Sequence, residues 1–336
     1  MTRAILVAVV LLLAGAARAE PRVLRMATIA PEGTSWAREL KAYARDIEAL
    51  TNGELKMKWY LGGIAGDELT AVERIRKGQL DGEAGAIFCQ SLASSMRVAR
   101  IPGLFHDAEE ATYVLNRLKG NIDAEMRQSG FANLGAASFG FDVIFSRLPV
   151  RTMQDFKKTH FWIWSLDPIW KAMVATMGLQ ATASPVEAAG HVFEEQKLDA
   201  FIAAPTAALA YQWSTQTRYA TGLQTAFLPG CMVISNSTFD GLSLEHQQAL
   251  RVAGAKFFAR FNDLNRSMEE QLMGRLFEKQ GLQMITPSDQ FKREFFEAAR
   301  QAREKLGDQL APKELIEKVN VWLTEFRAQR HVGAGR

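Results

Sequence analysis

Cysteine is scarce in this chain. Only Cys89 and Cys231 occur among 336 residues, which excludes a small scaffold held together by disulfides, and their spacing fits no zinc or thiol-redox motif. We expect two buried thiols, although an oxidising compartment would also allow them to pair. Net charge is low as well, because 40 Lys and Arg residues face 37 Asp and Glu residues without a basic cluster. That balance argues against a partner such as nucleic acid.

Motifs that carry catalysis are also missing. The five histidines form no H-E-x-x-H pattern, and there is no G-x-S-x-G elbow and no phosphate-binding P-loop. The glycine run at residues 62–66 fits a strand-to-helix turn better than a dinucleotide fingerprint. A catalytic site needs a nucleophile, a base or a metal held in register. We therefore predict no enzyme, no catalytic residue, no metal site and no cofactor.

The first 19 residues have the three parts of a secretory signal peptide. Arg3 precedes an apolar run at residues 4–14, and the small-residue tripeptide 17–19 forms a cleavage site before Glu20. No later apolar run is long enough to cross a membrane. We predict export across the inner membrane, removal of residues 1–19, and a mature protein free in the periplasm.

Strand and helix patterns alternate along the mature chain, which is typical of an α/β protein with parallel strands. Strands are predicted at residues 23–30, 55–61, 84–88, 160–164, 200–204 and 223–234, and helices at 34–52 and 67–77. Residues 132–150 form a long extended segment that passes between two lobes. A helix capped by Ser243 keeps its apolar spacing to Gly281, so at ~1.5 Å per residue it spans about 50 Å and braces both lobes. Residues 291–326 form amphipathic helix with a break near Pro312.

Aromatic residues are the most informative side chains. Trp162 and Trp164 stand two residues apart in a predicted strand and therefore share one face. Phe139 lies in the extended segment, and Tyr211 and Trp213 follow the strand at 200–204. Such rings fill cores more often than clefts, and the sequence pattern leaves both readings open.

A family resemblance rests on six short stretches in a fixed order. They are Gly66-Asp67-Glu68, Gly78-Gln79-Leu80-Asp81-Gly82, Pro102-Gly103-Leu104-Phe105, Met153-Gln154-Asp155-Phe156-Lys157, Met177-Gly178-Leu179 and Lys197-Leu198-Asp199. From residue 23 to about 327 the chain resembles the periplasmic solute-binding proteins of tripartite ATP-independent periplasmic (TRAP) transporters, of the dicarboxylate-type (DctP) family. The resemblance implies a two-lobed α/β periplasmic binding protein-like fold with hinge strands and a long bracing helix. It also implies that the protein delivers a small solute to a membrane permease.

The implied lobes combine separate parts of the chain. Lobe 1 takes residues 20–140 and 235–285, lobe 2 takes residues 141–234 and 286–330, and residues 331–336 form a flexible tail. The implied cleft is lined by Trp36, Phe88, Gln90, Phe139, Asp142, Trp162, Trp164, Tyr211 and Trp213.

Three departures from the family pattern bear on the solute. Trp162 stands where the family carries an arginine that grips a carboxylate, Asp142 stands at the place of a second arginine, and Ala203 or Ala204 replaces an asparagine. Because no tryptophan can replace a bidentate arginine, the sequence disfavours a simple organic acid. It favours a mainly apolar solute packed against the aromatic rings.

Several alternatives stay open at this point. A cationic or quaternary amine solute would be held by ring faces with Asp142 or Asp167. An exported enzyme that uses one of these two carboxylates as a base, or a scaffold that has lost its ligand, would have the same fold. The changed arginines also resemble the branch of the family that works with a tetratricopeptide-repeat periplasmic partner.

Overall fold

The computed structural model describes residues 20–195 and 198–333, and the side chains of 331–333 are outside this description. The predicted signal peptide lies outside the described residues. The described strands are β1 Arg22–Ala27, β2 Leu55–Tyr60, β3 Gly82–Gly85, β4 Phe131–Phe141, β5 Val143–Ser146, β6 His160–Trp164, β7 Gln180–Ser184, β8 Ala200–Ala203, β9 Tyr219–Thr221, β10 Phe227–Ser235 and β11 Gln283–Ile285.

Helices separate most of these strands. They are α1 Ser35–Leu50, α2 Glu68–Arg76, α3 Cys89–Leu92, α4 Arg97–Arg100, α5 Ala108–Gln128, α6 Met153–Lys158, α7 Pro168–Met177, α8 Val186–Glu194, α9 Pro205–Ala210, α10 Asn236–Asp240, α11 Leu244–Gln271, α12 Phe277–Lys279, α13 Asp289–Leu306 and α14 Lys313–Gly333. None of these helices is long and apolar enough to cross a membrane.

The strands form two sheets, each the centre of one lobe. The first sheet has the order β2-β1-β3-β10-β4, and the second has the order β11-β9-β5-β8-β6-β7. Strand β1 pairs in parallel with β2 and β3, and β6 pairs in parallel with β7 and β8, as expected for strands joined by crossover helices. Strands β10 and β5 run antiparallel to their neighbours because the chain enters them from the other lobe.

Two strands carry the chain from one lobe to the other. Strand β4 in the first sheet is followed after one residue, Asp142, by β5 in the second sheet. The segment that returns the chain to the first lobe is hydrogen-bonded to the same residue. Asp142 N donates to Ala226 O at 2.8 Å, and Thr225 N donates to Asp142 O at 2.9 Å. The predicted extended segment 132–150 is therefore two strands with a junction at Asp142.

The long bracing helix forms as its pattern predicts. The Ser243 side chain accepts a hydrogen bond from His246 N and caps α11. After a π-helical turn at Leu272–Leu276 the helix continues into α12. Phe257 and Phe261 pack in the core of the first lobe, whereas Leu272 and Phe277 pack in the core of the second. One helical segment therefore contacts both lobes.

Some sequence predictions differ from the structure. The third strand ends at Gly85 rather than 88, so residues 86–88 turn toward α3. Strands β7, β9 and β11 were missed because they are short and carry few β-branched residues. The assigned lobe boundaries stay a prediction, but sheet membership departs from them at β10, which lies in the first sheet, and at β11, which lies in the second. Helix α14 runs through Gly333, so the predicted tail at 331–336 begins in helix.

The two cysteines form a disulfide, which corrects the expectation of buried thiols. Cys89 at the start of α3 is bonded to Cys231 on β10, across a sequence separation of 142 residues. Both residues belong to the first lobe, so the bond does not cross the cleft between lobes. It fixes α3 and the β10 return strand to each other.

Candidate functional site

A mainly apolar cavity lies between the two lobes. Its volume is about 110 Å³. The first lobe contributes the chain after β1, the strands β3 and β4, and the Phe257 face of α11. The second lobe contributes β6, β8 and the segment around Tyr211. This is the kind of concave, domain-interface position at which small ligands bind.

Aromatic rings form much of the cavity wall. Trp162 and Trp213 have ring centroids 5.0 Å apart, and Trp213 stacks on Tyr211 at 4.8 Å. From the first lobe, Trp36 makes an edge-to-face contact with Phe139 at 5.1 Å and reaches Tyr211 at 6.5 Å. The Trp36–Tyr211 contact joins the ring clusters of the two lobes.

The polar atoms of three of these rings are already satisfied. Trp162 Nε1 donates to Ser184 Oγ at 2.7 Å, and Tyr211 OH donates to Ile29 O at 3.0 Å. Trp36 Nε1 donates to Asn265 Oδ1 at 2.8 Å. These bonds fix the ring orientations, so the three rings offer a solute apolar surface rather than hydrogen bonds.

A buried ion cluster forms another part of the wall. Arg100, at the end of α4, donates from Nη1 to Asp142 Oδ2 at 2.5 Å and from Nε to Asp167 Oδ2 at 2.8 Å. The arginine side chain is 6% exposed and both carboxylates are 1% exposed. Asp167 also caps α7, because its Oδ1 accepts from Ile169 N and Trp170 N. The cluster therefore links the first lobe, the lobe junction and the second lobe.

Asp142 is only partly compensated within this cluster. Burial raises the pKa of Asp142, whereas Arg100 and, to a smaller extent, the indole of Trp170 act in the opposite direction. Its Oδ2 is paired with Arg100, but its Oδ1 has no hydrogen-bond partner among the described residues. The two carboxylates that the cationic-solute alternative assigns to the cleft, Asp142 and Asp167, are thus both paired with Arg100.

A second buried carboxylate lines the first-lobe side of the cavity. Glu68, the first residue of α2, accepts hydrogen bonds from Ala86 N and Phe88 N, each at 2.8 Å. Burial raises the pKa of Glu68 to about 7, although these backbone N–H groups act in the opposite direction. Glu68 thus holds the turn after β3 in place.

The structure brings most of the predicted site residues together. Those that line the cavity are Trp36, Phe139, Asp142, Trp162, Trp164, Tyr211 and Trp213, together with Ala203 and Ala204. Phe88 and Gln90 do not line the cavity, because the predicted strand that leads into residues 86–90 ends at Gly85. Phe88 is instead fully buried in the core, and Gln90 is 2% exposed. The described residues hold no group of His, Cys, Asp or Glu that could bind a metal ion.

Sequence reasoning missed several lining residues, including the one arginine among them. The missed lining residues include Glu68, Arg100, Trp170 and the α11 residues Phe257, Phe258 and Phe261. Arg100 had one available signal, since it interrupts the apolar run Val98-Ala99-Arg100-Ile101, and a charge in such a run is buried only when it is paired. Its partners are 42 and 67 residues away in sequence, so the pattern alone could not name them.

Comparison with known proteins identifies the family. Residues 26–309 match the bacterial extracellular solute-binding proteins of family 7, DctP. The 2,3-diketo-L-gulonate-binding periplasmic protein of Escherichia coli is 25% identical over 246 residues, which are 72% of this chain and 74% of that protein.

Solved structures confirm the predicted two-lobed fold. A TRAP periplasmic solute-binding protein from Haemophilus influenzae with bound L-gulonate has a TM-score of 0.81 at 20% identity, over 89% of this chain and 99% of its own. A sugar acid binding protein from Advenella mimigardefordensis in complex with galactonate has a TM-score of 0.84 at 17% identity, over 91% and 99%. This chain belongs to the DctP family of extracellular solute-binding proteins, which are periplasmic receptors that bind small solutes and work with TRAP membrane permeases.

Proposed function

We propose that this protein binds a small, mainly apolar solute between its lobes and delivers it to a TRAP permease. The observation that carries the proposal is the composition of the cavity wall. Aromatic rings from both lobes face the space, and Arg100, the one cation among the described residues that line it, is committed to two buried carboxylates. An apolar solute gains from burial against such rings without needing a charged partner.

The proposed apolar solute differs from the solutes bound in the two solved relatives, which are the acids L-gulonate and galactonate. The wall here carries Glu68, Asp142 and Asp167 against the single guanidinium of Arg100. A bound carboxylate would have to displace one of the arginine's present partners or remain unpaired beside like charges. Either outcome costs several kcal/mol in a buried site.

A cationic amine is the second candidate, and one specific observation favours it. The wall carries three carboxylates, those of Glu68, Asp142 and Asp167, against the single guanidinium of Arg100, and the faces of Trp162 and Trp213 could contact the alkyl groups of an amine. The pairing of Asp142 with Arg100 weakens this candidate because it already compensates much of the charge. The same pairing weakens the exported-enzyme alternative, in which Asp142 or Asp167 would serve as a free base.

Native mass spectrometry of gently purified protein would test the proposal directly. We expect a retained small molecule of low polarity, which a protein that serves only as a scaffold would lack. Trp162→Ala should weaken binding of that molecule by roughly 2–4 kcal/mol, or about 30-fold to 1,000-fold, because the ring contributes buried contact area. Trp322→Ala is the matched control, since Trp322 lies on α14 and outside the lining of the cavity.

Two results would overturn the apolar assignment. One is tight binding of galactonate or gulonate to the wild-type protein, and the other is retention of a polar acid in the mass spectrum. A tetratricopeptide-repeat partner remains a separate prediction, which co-purification from the native periplasm would test.

A further inference from the structure

A hydrogen bond joins the two walls of the cavity without using the strands that cross between the lobes. Tyr211 OH donates to Ile29 O at 3.0 Å. Ile29 follows β1 of the first sheet, whereas Tyr211 lies between β8 and β9 of the second sheet. Both residues line the cavity. The bond is therefore a direct link between the lobes at the solute space, separate from the junction at Asp142.

The apolar contacts of the two residues also extend from one lobe into the other. Ile29 packs against the second-lobe core that contains Trp162 and Trp213, and Tyr211 packs against the cores of both lobes. The Tyr211 ring stacks on Trp213 of its own lobe at 4.8 Å and meets the edge of Trp36 from the first lobe at 6.5 Å. These ring contacts fix the orientation from which the Tyr211 hydroxyl reaches the Ile29 carbonyl.

The first-lobe side of the contact is held by a second loop. The N–H groups of the two glycines at residues 62–63 donate to Ala30 O at 2.9 Å and to Thr28 O at 3.2 Å, on either side of Ile29. A Cβ added to the second of these glycines would lie 3.2 Å from Oε1 of Glu187, near the start of α8 in the second lobe. The facing edges of the two lobes therefore approach each other at this loop as well as at Tyr211.

The bond between Tyr211 and Ile29 can exist only while the lobes are together. Because rings of both lobes line the cavity, a solute enters or leaves it when the lobes separate, and this separation breaks the bond. The net contribution of one such hydrogen bond changes an equilibrium about threefold to tenfold. Loss of the hydroxyl should therefore favour the open form by this factor, while the ring keeps its place in the cavity wall.

We propose that Tyr211 is a closure residue, whose hydroxyl holds the lobes together over a bound solute through the Ile29 carbonyl and so sets how long the solute stays bound. The hydroxyl positions the lobes and does not select the solute, because its proton is donated to the protein backbone. The inference rests on the proposed function only in that a solute binds between the lobes. It applies to a polar solute as well as to an apolar one.

Tyr211→Phe tests the inference because it removes the hydroxyl and keeps the ring. The protein is first refolded from urea to remove any solute retained from the cell. Stopped-flow tryptophan fluorescence then follows the binding of two probes, propylbenzene and galactonate. For whichever probe the wild type binds, we expect the dissociation rate constant to rise about threefold to tenfold and the association rate constant to stay within about twofold.

Tyr43→Phe is the matched control. Tyr43 OH also donates to a backbone carbonyl, that of Leu250 at 3.2 Å, but both residues belong to the first-lobe core and neither lines the cavity. Both variants should lose stability in urea unfolding, since each loses one hydrogen bond. Only Tyr211→Phe should release the solute faster, which a merely structural role of the hydroxyl would not produce.

The outcomes separate this inference from the proposed function. Dissociation rate constants of the wild type and Tyr211→Phe that agree within about twofold, or an equal rise in both variants, would overturn the closure role and leave the apolar receptor standing. Binding of galactonate in preference to propylbenzene would overturn the apolar assignment, and faster release of galactonate from Tyr211→Phe would still support the closure role.

Small-angle X-ray scattering decides the case in which the wild type binds neither probe. A larger radius of gyration for Tyr211→Phe than for both the wild type and Tyr43→Phe would support the closure role, because the lobes would then be further apart on average. Equal radii for the three proteins would overturn it.

Discussion

Replacing Arg100 by methionine should destabilise the protein strongly. The change removes the one guanidinium that compensates Asp142 and Asp167, both of which are 1% exposed. With charge centres about 4 Å apart and an effective dielectric constant of about 20, each pair contributes about 4 kcal/mol of attraction before the cost of burying the charges. Breaking a buried pair by removing one partner costs about 3–5 kcal/mol, and we expect a loss in that range at pH 8.

The loss should depend on pH in a defined direction. Without Arg100 the pKa of Asp142, already raised by burial, rises further in the folded state. A carboxyl group whose pKa is higher in the folded than in the unfolded state stabilises the fold at low pH, and this contribution disappears as the pH rises. The deficit of Arg100→Met relative to the wild type should therefore be larger at pH 8 than at pH 5.

Urea unfolding of the mature protein, followed by tryptophan fluorescence and far-UV circular dichroism, measures this difference if the two transitions coincide. Arg97→Met, one turn earlier in α4, is the matched control, since within the described part of the chain the Arg97 side chain donates one hydrogen bond, from Nε to Gln90 O at 3.3 Å. We expect it to cost less than about 1 kcal/mol. A loss of equal size in both variants at pH 8 would refute the assignment of Arg100 as the charge that holds the lobe junction.

Three further predictions concern other parts of the fold. Removing the disulfide with the double substitution Cys89→Ala and Cys231→Ala should lower the free energy of unfolding by about 2–5 kcal/mol, because the bond closes a loop of 142 residues. Titration of two free thiols in the oxidised native protein would contradict the presence of this bond. Gly140→Ala should cost about 1–3 kcal/mol in urea unfolding, because φ is +87°, a conformation that L side chains rarely adopt, and a Cβ would also displace the carboxylate of Glu269 on α11. Gly120→Ala, with open space around it, should not destabilise. The pKa of Glu68 lies at about 7 in the folded protein, above its usual 4.5. The free energy of unfolding should therefore fall by about 3 kcal/mol between pH 4.5 and 7, and Glu68→Gln should reduce this dependence on pH.

The sequence pattern was sufficient for features that depend only on residues close together in the sequence. Trp162 and Trp164 line the same cavity because side chains two residues apart in a strand point to the same face, which the sequence alone implies. The cap at Ser243 and the apolar spacing of α11 likewise follow from neighbouring residues. Phe88 was misassigned because the alternation breaks at Gly85, where the chain leaves the sheet for α3, and no strong turn signal marks that point.

The pairing of charges in the cavity wall could not be predicted from the sequence pattern. The resemblance to the family implies that its carboxylate-binding arginines are replaced at Trp162 and Asp142, but it could not show that Arg100 lies in the same wall. That side chain approaches Asp142 and Asp167 only after the two lobes pack together. An arginine is thus present in the cavity wall, and it is paired with the protein's own carboxylates.

The sequence by itself determined the α/β class, the family, the bracing helix and the aromatic character of the cleft, because each depends on residue types at short, regular spacing. Only the tertiary structure decided that Cys89 and Cys231 pair and that Arg100 pairs with both Asp142 and Asp167 at the lobe junction. These features depend on contacts between segments 42 to 142 residues apart in sequence, which the folding of two lobes around one cavity brings together.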